Sequence, residues 1–474
     1  MSSQPSLNPT SRGANRTFWL VLAVVLVADV LDLMDSTLTT IAAPTIASNL
    51  GGGEFLIKWL GSSYSLAMGV LLVIGGRLGD KYGHRRVFLI GIAGFTLASL
   101  MCGLAPNAGV IVVGRLLQGS FGALLIPQGI AIMTSTFPRE MLGKAFSAFG
   151  PLLGLAAVGG PILGAFILDA NIAGLSWRPM FLINILLGTA GFAMALKVLP
   201  KVPRDRSVVL DGLGSGLLAA AMFCLIFGLI DGPTNGWSTS ANILVIAGVA
   251  FFGGFALRQR FASNPLIKPS LLRNRGFTAG LVMALAFFSV VTGLGYVISL
   301  FLQQEMGRTP VQTALGGIAP MAAGIIVASI VAAPLIRRLG RYLVLAGLVM
   351  TLVGVAILWA VVARQGTSLG SWALVAPIFV VGLGMGTCFG TLFDIAVGDI
   401  DPDEAGSASG SLSAVQQLAG SIGSAAIMSI WFGHRASGAS SAVVACLIVV
   451  AAVTVGCCAL VGLLPRTAQP HETL

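Results

Sequence analysis

Three aspartates lie at regular spacing inside the first long apolar segment of the chain. Asp29, Asp32 and Asp35 are each three residues apart within residues 18–42. In a helix, with about 100° between residues, they would share one face about 120° wide. Because a carboxylate in the lipid core costs on the order of 3 kcal/mol, the three should face a cavity inside the protein. This pattern indicates a site for protons or for a cationic substrate. Acids solvated in a polar vestibule, or satisfied by neighbouring groups, are the alternative.

An arginine stands in the middle of another apolar segment. Arg115 lies within residues 110–123, and Gln118 follows it three residues later, on the same face of a helix. A guanidinium stays charged at any physiological pH, so within a membrane it needs an acceptor or an acid. The pattern is compatible with a group that biases proton transfer and with a structural pair to a neighbouring carboxylate.

A basic turn punctuated by glycine separates the second and third apolar segments. Gly76 and Gly83 lack Cβ atoms, and we expect them to allow a sharp turn and a close approach of two helix ends. Asp80 is the one acid of the turn, placed where it could pair across a helix interface. Arg85 and Arg86 give the turn its basic pair. An ordinary positively charged cytoplasmic loop is the alternative.

The fifth apolar segment is rich in glycine and contains a proline. A proline kinks a helix, and glycines on one face admit a neighbouring helix closely. The residues concerned are Gly150, Gly154, Gly160, Pro161 and Gly164.

Two amide side chains lie in apolar segments of the second half of the chain. Gln303 and Gln416 could line a substrate cavity, and hydrogen bonds between helices are the alternative for both.

The composition places all of these residues in a membrane protein. The chain has 474 residues, of which 56% are hydrophobic and 9% charged, whereas soluble proteins carry about 25% charged residues. Its apolar segments predict about fourteen spans. Most of the 27 Lys and Arg residues fall in connections on one side, and a few, Lys58 among them, fall on the other. This asymmetry predicts that both termini are cytoplasmic, and it gives no reason to expect nucleic-acid binding.

The cysteines and histidines show no spacing typical of a metal site. All six cysteines lie inside apolar segments without a C-x-x-C pattern, and we interpret them as buried apolar side chains. A nucleotide-binding loop of the G-x-x-x-x-G-K-(S/T) kind does not occur in the sequence, which argues against an ATP-driven pump. We therefore predict no metal and no cofactor, with a proton gradient as the energy source.

Two of these patterns resemble signatures of the major facilitator superfamily. Residues 76–86 resemble its helix 2–3 loop, G-x-L-(G/A)-D-(R/K)-x-G-R-(R/K), with His84 in place of Arg. Residues 115–123 resemble the R-x-x-Q-G signature in the fourth helix of its proton-coupled members. The resemblance implies that the turn is a conformational switch and that Arg115, with Gln118, biases proton transfer.

Three further patterns resemble the fourteen-helix drug/proton antiporters of that superfamily. Residues 35–44 are similar to their first-helix signature D-x-T…A-L-P, and Gly160-Pro161 is similar to the antiporter signature of their fifth helix. Residues 177–184 are similar to the W-R-x-x-F-x-I-N motif that positions the sixth helix. The antiporter signature implies export rather than uptake.

The resemblance implies an all-α membrane fold of two six-helix bundles with two additional helices between them. A faint echo of residues 78–84 at residues 335–341 agrees with two related halves. The expected division is a disordered cytoplasmic tail, an N-terminal bundle, an inserted helix pair with cytoplasmic linkers, a C-terminal bundle and a second cytoplasmic tail. These are residues 1–15, 16–200, 201–275, 276–465 and 466–474.

We therefore expect a multi-pass transporter of the cell membrane rather than an enzyme. It would export small amphipathic compounds, cationic or lipophilic drugs and antibiotics, in exchange for protons by alternating access. Asp35, Arg115 and Asp32 would couple protons, and substrate would contact Asp29, Asp35, Gln118, Gln303 and Gln416. The expected partners are the substrate, protons and the lipid bilayer, with the protein a monomer. A dedicated exporter of one antibiotic or metabolite, or an uptake permease, is the alternative.

Overall fold

The chain folds into helices in every regular element of its described part. A computed structural model describes residues 12–137, 156, 159–200, 211–235, 237–262, 265–267, 269–366, 369–370, 372–397, 400 and 405–465. In the first half the helices are α1 (Arg12–Asn49), α2 (Gly53–Tyr82), α3 (His84–Gly103), α4 (Ala108–Gly122), α5 (Leu125–Thr136), α6 (Gly159–Ala170) and α7 (Arg178–Val198). Between the halves come α8 (Gly212–Thr234) and α9 (Thr239–Phe261). In the second half they are α10 (Pro269–Arg273), α11 (Arg275–Leu300), α12 (Pro310–Thr313), α13 (Ala319–Ala332), α14 (Ile336–Leu339), α15 (Arg341–Gln365), α16 (Val375–Val397), α17 (Ala405–His434) and α18 (Ala439–Leu460).

Helix length and composition bear on the predicted number of spans. Twelve helical stretches of the described chain are long and apolar enough to cross a membrane. Two predicted spans lie outside that set: α6, which is shorter, and α17, whose 30 residues include several serines and two glutamines. Fourteen spans and the cytoplasmic position of both termini stay predictions.

Two boundaries differ from the sequence-based expectation. Helix α1 begins at Arg12 and so extends into the segment predicted to be a disordered tail. The last proline before it is Pro9, and nothing between Arg12 and Phe18 interrupts a helix. Lys58, predicted to lie in a connection, is instead buried within α2, with 1% of its surface exposed.

The helices pack into two groups that meet along two seams. Helices α1 to α5 and α7 contact one another, as do α11, α13, α15, α16, α17 and α18. The groups meet where α2 packs on α17 and where α1 packs on α11. We call these groups the first and the second bundle.

Most of the hydrogen bonds between the bundles in the described chain lie in the half of the molecule near the α1–α2 connection. Ser62 and Ser424 share a hydrogen bond of 3.0 Å, which joins α2 to α17. Ser299 donates to the Thr40 carbonyl at 2.9 Å, and Gln303 donates to the Ile41 carbonyl at 3.1 Å, which join the second bundle to α1. These bonds close the molecule at that end.

The inserted pair, α8 and α9, contacts both bundles through α8. Ser429 of α17 donates to the Leu229 carbonyl at 2.8 Å, and Lys58 of α2 donates to the next carbonyl, that of Ile230, at 3.5 Å. Aromatic rings of α2 and α8 also pack together, with centroids 5.8 to 6.3 Å apart. These rings are Phe55, Trp59, Phe223 and Phe227. The inserted helix therefore lies across the α2–α17 seam.

Candidate functional site

The carboxylate of Asp35 is the centre of a buried polar cluster contributed by five helices, α1, α2, α3, α4 and α7. It forms an ion pair with Arg115 of α4. It also accepts hydrogen bonds from Gln118 of α4 at 3.1 Å and from Asn184 of α7 at 2.5 Å. Asp35 and Arg115 are each only 1% exposed. Three donors, one of them a guanidinium of matching charge, therefore satisfy this buried carboxylate.

A second set of contacts fixes the donors around Asp35. Gln118 accepts a hydrogen bond from Arg115 at 2.9 Å and donates one to Ser99 of α3 at 2.8 Å. Asn184 also donates to Ser99, at 3.4 Å. Because each amide is held from two sides, the groups that contact Asp35 have little freedom to reorient without the network breaking as a unit.

The local sequence of α4 explains how Arg115 and Gln118 reach one carboxylate. The two residues are three apart and so lie on one face of the helix. Asn107 caps the start of α4 by accepting from the Val110 amide at 3.0 Å, which fixes where the helix begins. The helix ends at Gly122, and α5 continues the same span from Leu125.

Tyr64 of α2 joins the second aspartate to this cluster. Its hydroxyl donates to Asp32, and the Arg115 guanidinium lies over its ring, 4.4 Å from the centroid. A Cβ on Gly122 would overlap Asp32 Oδ1, and a Cβ on Gly119 would overlap the Tyr64 carbonyl. Glycine at these two positions therefore lets α4 close on α1 and α2.

Asp29 lies three residues before Asp32 on α1 and six residues before Asp35. It is 5% exposed, and its Oδ1 has no hydrogen-bond partner among the described residues. The three aspartates thus differ in their surroundings: Asp35 has an ion pair, Asp32 a phenol, and Asp29 neither within the described part of the chain.

The glycine-proline pair of the predicted fifth span, Gly160 and Pro161, lies against α1. A Cβ on Gly160 would overlap Thr37 Oγ1 and stand 3.2 Å from Met34 Cα, whereas one on Gly159 would meet nothing within 4 Å. Gly160 therefore brings α6 against α1 within one turn of Asp35, next to the buried Pro161. Gly164 packs on Leu38 in the same way. Gly150 and Gly154 lie outside the described residues.

The basic turn connects α2, α3 and α5. Gly83 has a φ of +97°, a backbone conformation that favours glycine, and it ends α2 sharply. Asp80 pairs with His84 at 3.3 Å, and His84 contacts Gln128 of α5 at 2.7 Å. Arg85 reaches the Leu196 carbonyl at the end of α7, at 2.5 Å. Arg86 is exposed.

The close helix approach at this turn is made by other glycines than the sequence suggested. A Cβ on Gly76 would be in ordinary contact with Pro127, at 3.9 Å, so the close approach expected at Gly76 does not occur there, and its role in a conformational switch stays a prediction. A Cβ on Gly75 would stand 2.5 Å from the Ala123 carbonyl oxygen, and one on Gly79 would overlap Gln128 and His84. Gly75 and Gly79 are four residues apart, so they share the face of α2 that meets α5.

The two glutamines of the second half do not join the Asp35 cluster. Gln303 bonds to the Ile41 carbonyl and to Ser299, and so connects the bundles near their closed end. Gln416 is half-buried on α17, and its neighbour Gln417 donates to Met68 Sδ at 3.2 Å. A role of Gln303 and Gln416 in substrate binding stays a prediction.

Sequence reasoning missed three residues of the cluster. Asn184 belonged to a quoted motif, but nothing in the motif indicated that it would reach Asp35. Tyr64 and Ser99 lie in apolar segments and gave no signal of their own. In the described part of the chain, no three His, Cys, Asp or Glu side chains form a group suited to a metal ion.

Comparison with known proteins places this cluster in a known fold. Residues 25–424 match the family model described as the Major Facilitator Superfamily. The structure is similar to the crystal structure of an auto-inhibited POT family peptide transporter, with a TM-score of 0.67 at 16% identity over 96% of this chain and 99% of that one. This likeness shows the shared fold.

Several curated relatives are exporters or resistance proteins of bacteria. The probable actinorhodin transporter of Streptomyces coelicolor is 41% identical over 90% of this chain and 74% of its own length. The puromycin resistance protein of Streptomyces alboniger is 30% identical over 92% and 86%. The multidrug resistance protein Stp of Mycobacterium tuberculosis is 30% identical over 88% and 76%.

The matched family consists of transporters rather than enzymes, and the relatives above are named as an antibiotic transporter and as antibiotic or multidrug resistance proteins. With twelve long apolar helices in its described part, the protein is a multi-pass protein of a bacterial cell membrane. The chain belongs to the major facilitator superfamily.

Proposed function

We propose that the protein is a proton-coupled antiporter that exports small amphipathic compounds, cationic or lipophilic drugs and antibiotics, by alternating access. The observation that carries the proposal is the buried Asp35–Arg115 pair, held by Gln118 and Asn184 between three helices. A buried ion pair carries a desolvation cost that a neutral pair would avoid. Its presence inside the membrane therefore favours a function that depends on the two charges.

Protonation gives such a pair two states. While Asp35 is ionised, it holds α4 and α7 to α1 through Arg115, Gln118 and Asn184. When Asp35 takes up a proton, the ion pair loses its attraction and the hydrogen bonds from Gln118 and Asn184 lose the charge that strengthens them, so the contact between these helices weakens. A group that joins helices in one charge state and releases them in the other can couple proton movement to a change in access.

The closed end of the molecule agrees with this cycle. Hydrogen bonds of α1 and α2 to the second bundle seal the half near the α1–α2 connection. Opening that half requires these bonds to break. The name of one relative, the tetracenomycin C resistance and export protein of Streptomyces glaucescens, supports outward transport.

The proposal is tested with purified protein in liposomes whose lumen is acidic, with ethidium outside as the probe. Protons leaving the lumen should drive ethidium into it, and a protonophore should abolish this accumulation. A symporting uptake permease would instead accumulate the probe only when the gradient is reversed. If both ethidium and a neutral lipophilic probe are transported at rates that do not depend on the proton gradient, proton coupling is refuted.

A dedicated exporter of one compound is the second candidate, because the 41% identical relative is described as a transporter for a single antibiotic. A panel of ethidium, tetraphenylphosphonium and puromycin separates the two. Multidrug export predicts that at least two of these are transported, whereas a dedicated exporter transports none or one.

A further inference from the structure

The buried charges of α1 and α4 do not balance within the described chain. Three aspartates of α1 lie within two turns, and one guanidinium, that of Arg115, stands beside them. Arg115 forms its ion pair with Asp35, while Asp32 receives only the Tyr64 hydroxyl among the hydrogen bonds of the described residues. Buried carboxylates need a matching charge or a proton. Asp32 therefore needs a counter-charge or a proton, because Arg115 is already paired with Asp35.

Tyr64 contacts both Asp32 and Arg115, with different parts of its side chain. The hydroxyl donates to Asp32, and the ring face lies 4.4 Å from the guanidinium carbon of Arg115. A hydrogen bond to an anion increases the electron density of the phenol, and a richer ring attracts a cation more strongly. The charge on Asp32 thus affects how strongly the Tyr64 ring attracts Arg115.

We propose that Asp32 is a second proton-binding site and that Tyr64 is the positioning residue that links it to the Arg115–Asp35 pair. This inference rests on the proposed proton-coupled export and deepens it, because it gives the site two exchangeable protons. A proton from water binds a carboxylate oxygen of Asp32 and later leaves to water, and no other bond forms or breaks. With the proton bound, the carboxyl group becomes the donor and the phenol oxygen the acceptor.

The groups around Asp32 come from three helices. Asp29 and Asp35 lie on its own helix, Tyr64 faces it from α2, and Arg115 faces it from α4. A Cβ built on Gly122 of α4 would overlap Asp32 Oδ1, so the backbone of α4 lies close to this carboxylate and leaves no space for another side chain. An ionised Asp32 is therefore next to two acids of its own sign and one shared cation.

Tyr64→Phe separates the two contacts, because it keeps the ring under Arg115 and removes only the hydroxyl. Asp32→Asn removes the proton site itself. Tyr82→Phe is the matched control, since Tyr82 makes no contact with the cluster and is exposed at the end of the same helix. Infrared difference spectra of the purified protein between acidic and alkaline buffer report protonated carboxyl groups directly and do not depend on transport.

We expect one pH-dependent carboxyl band to disappear in Asp32→Asn and to shift in Tyr64→Phe, and none to change in Tyr82→Phe. Asp35→Asn should alter a different component. A full set of carboxyl bands in Asp32→Asn would overturn the proposal. If the bands behave as expected but ethidium does not follow the proton gradient, the proposed export fails while the proton site stands.

Transport gives the second measurement. Tyr64→Phe and Asp32→Asn should each slow gradient-driven ethidium transport by about tenfold, the effect of losing a hydrogen bond to a charged group. Both should change the pH profile in the same way. The double variant should be no slower than the slower single variant, because both changes break one link. Multiplied effects, or a pH profile in Tyr64→Phe equal to that of the unaltered protein, would show that Tyr64 has only a packing role.

Discussion

At the scale of single residues, Asp35 differs from its two neighbouring acids by the number of groups that hold it. Arg115, Gln118 and Asn184 converge on one carboxylate. A group with so many partners affects several helices at once when its charge changes, so the first predictions concern Asp35 and the partner that the sequence did not reveal.

Replacing Asp35 with Asn should abolish proton-driven export. The amide cannot take up a proton, and Arg115 is left buried without its counter-charge, a loss of about 3–5 kcal/mol in stability. We expect gradient-driven ethidium transport to fall at least about tenfold, a change of about 1.4 kcal/mol or more in the barrier. Asp169→Asn, the same change at an exposed position, is the control. Normal pH-dependent export by folded Asp35→Asn protein would contradict the assignment.

Asn184→Leu should slow proton-driven export. The change keeps the branched shape and the number of heavy atoms of the side chain and takes one donor from the Asp35 carboxylate, a hydrogen bond worth about 1.5–3 kcal/mol. We therefore expect gradient-driven ethidium transport to fall by about tenfold or more. Asn242→Leu, at an exposed position of α9, should leave the transport rate unchanged. Equal transport by both variants would mean that Asn184 only packs.

At the scale of helices, glycines determine which elements reach the site. Gly119 and Gly122 let α4 approach Tyr64 and Asp32, and Gly160 lets α6 approach Met34 and Thr37. Such positions tolerate no Cβ, and their effect on stability can be measured against neighbouring glycines that have space.

Gly160→Ala and Gly159→Ala form a matched pair on α6. The added methyl group overlaps Thr37 in the first variant and meets nothing within 4 Å in the second. We expect Gly160→Ala to lose about 1–3 kcal/mol of stability, the usual effect of overpacking, and Gly159→Ala to lose none. Thermal unfolding of the detergent-purified proteins measures the difference. Equal melting temperatures would contradict the contact between α6 and α1.

The sequence predicted some of these contacts and not others for a physical reason. A buried guanidinium needs an acceptor or an acid, so the membrane position of Arg115 alone predicted a partner, and the structure identified that partner as Asp35. Asn184 and Ser99 are neutral and fit either inside or outside such a cluster, so their types predicted no location. Gly76 was chosen for its place in a motif, whereas the close approach depends on the face of α2, which Gly75 and Gly79 share.

Lys58 shows the same limit at the scale of packing. A lysine near the end of an apolar segment is expected in a connection, since burial of its charge is costly. Here the inserted helix α8 covers it, and the lysine donates to the Ile230 carbonyl beside the Phe432 ring. A helix from a distant part of the sequence decides its environment, which no local pattern reveals.

At the scale of the whole molecule, the proposed export cycle requires the two bundles to separate at their closed end. Ser62 and Ser424 face each other across the α2–α17 seam at 3.0 Å. A disulfide between Ser62→Cys and Ser424→Cys, in protein whose six native cysteines are replaced, should hold that end closed. We expect oxidation to stop ethidium transport nearly completely and reduction to restore it.

The single-cysteine variants give the controls for this experiment, since neither can form the bridge. Each should transport ethidium equally well before and after oxidation. Full transport by the oxidised double variant, with the disulfide confirmed by mass spectrometry, would show that the α2–α17 seam does not open.

The position of α8 across that same seam has a consequence for the fourteen-helix arrangement. Two successive carbonyls of one helix accept from opposite bundles, that of Leu229 from Ser429 and that of Ile230 from Lys58. When the bundles part, α8 cannot remain attached to both. The aromatic rings that α8 shares with α2 and the hydrogen bond that it accepts from Ser429 of α17 hold it to both bundles, so one set of these contacts must break when the bundles separate. In the proposed export cycle the inserted helix pair would therefore stay with one bundle while the other slides along it.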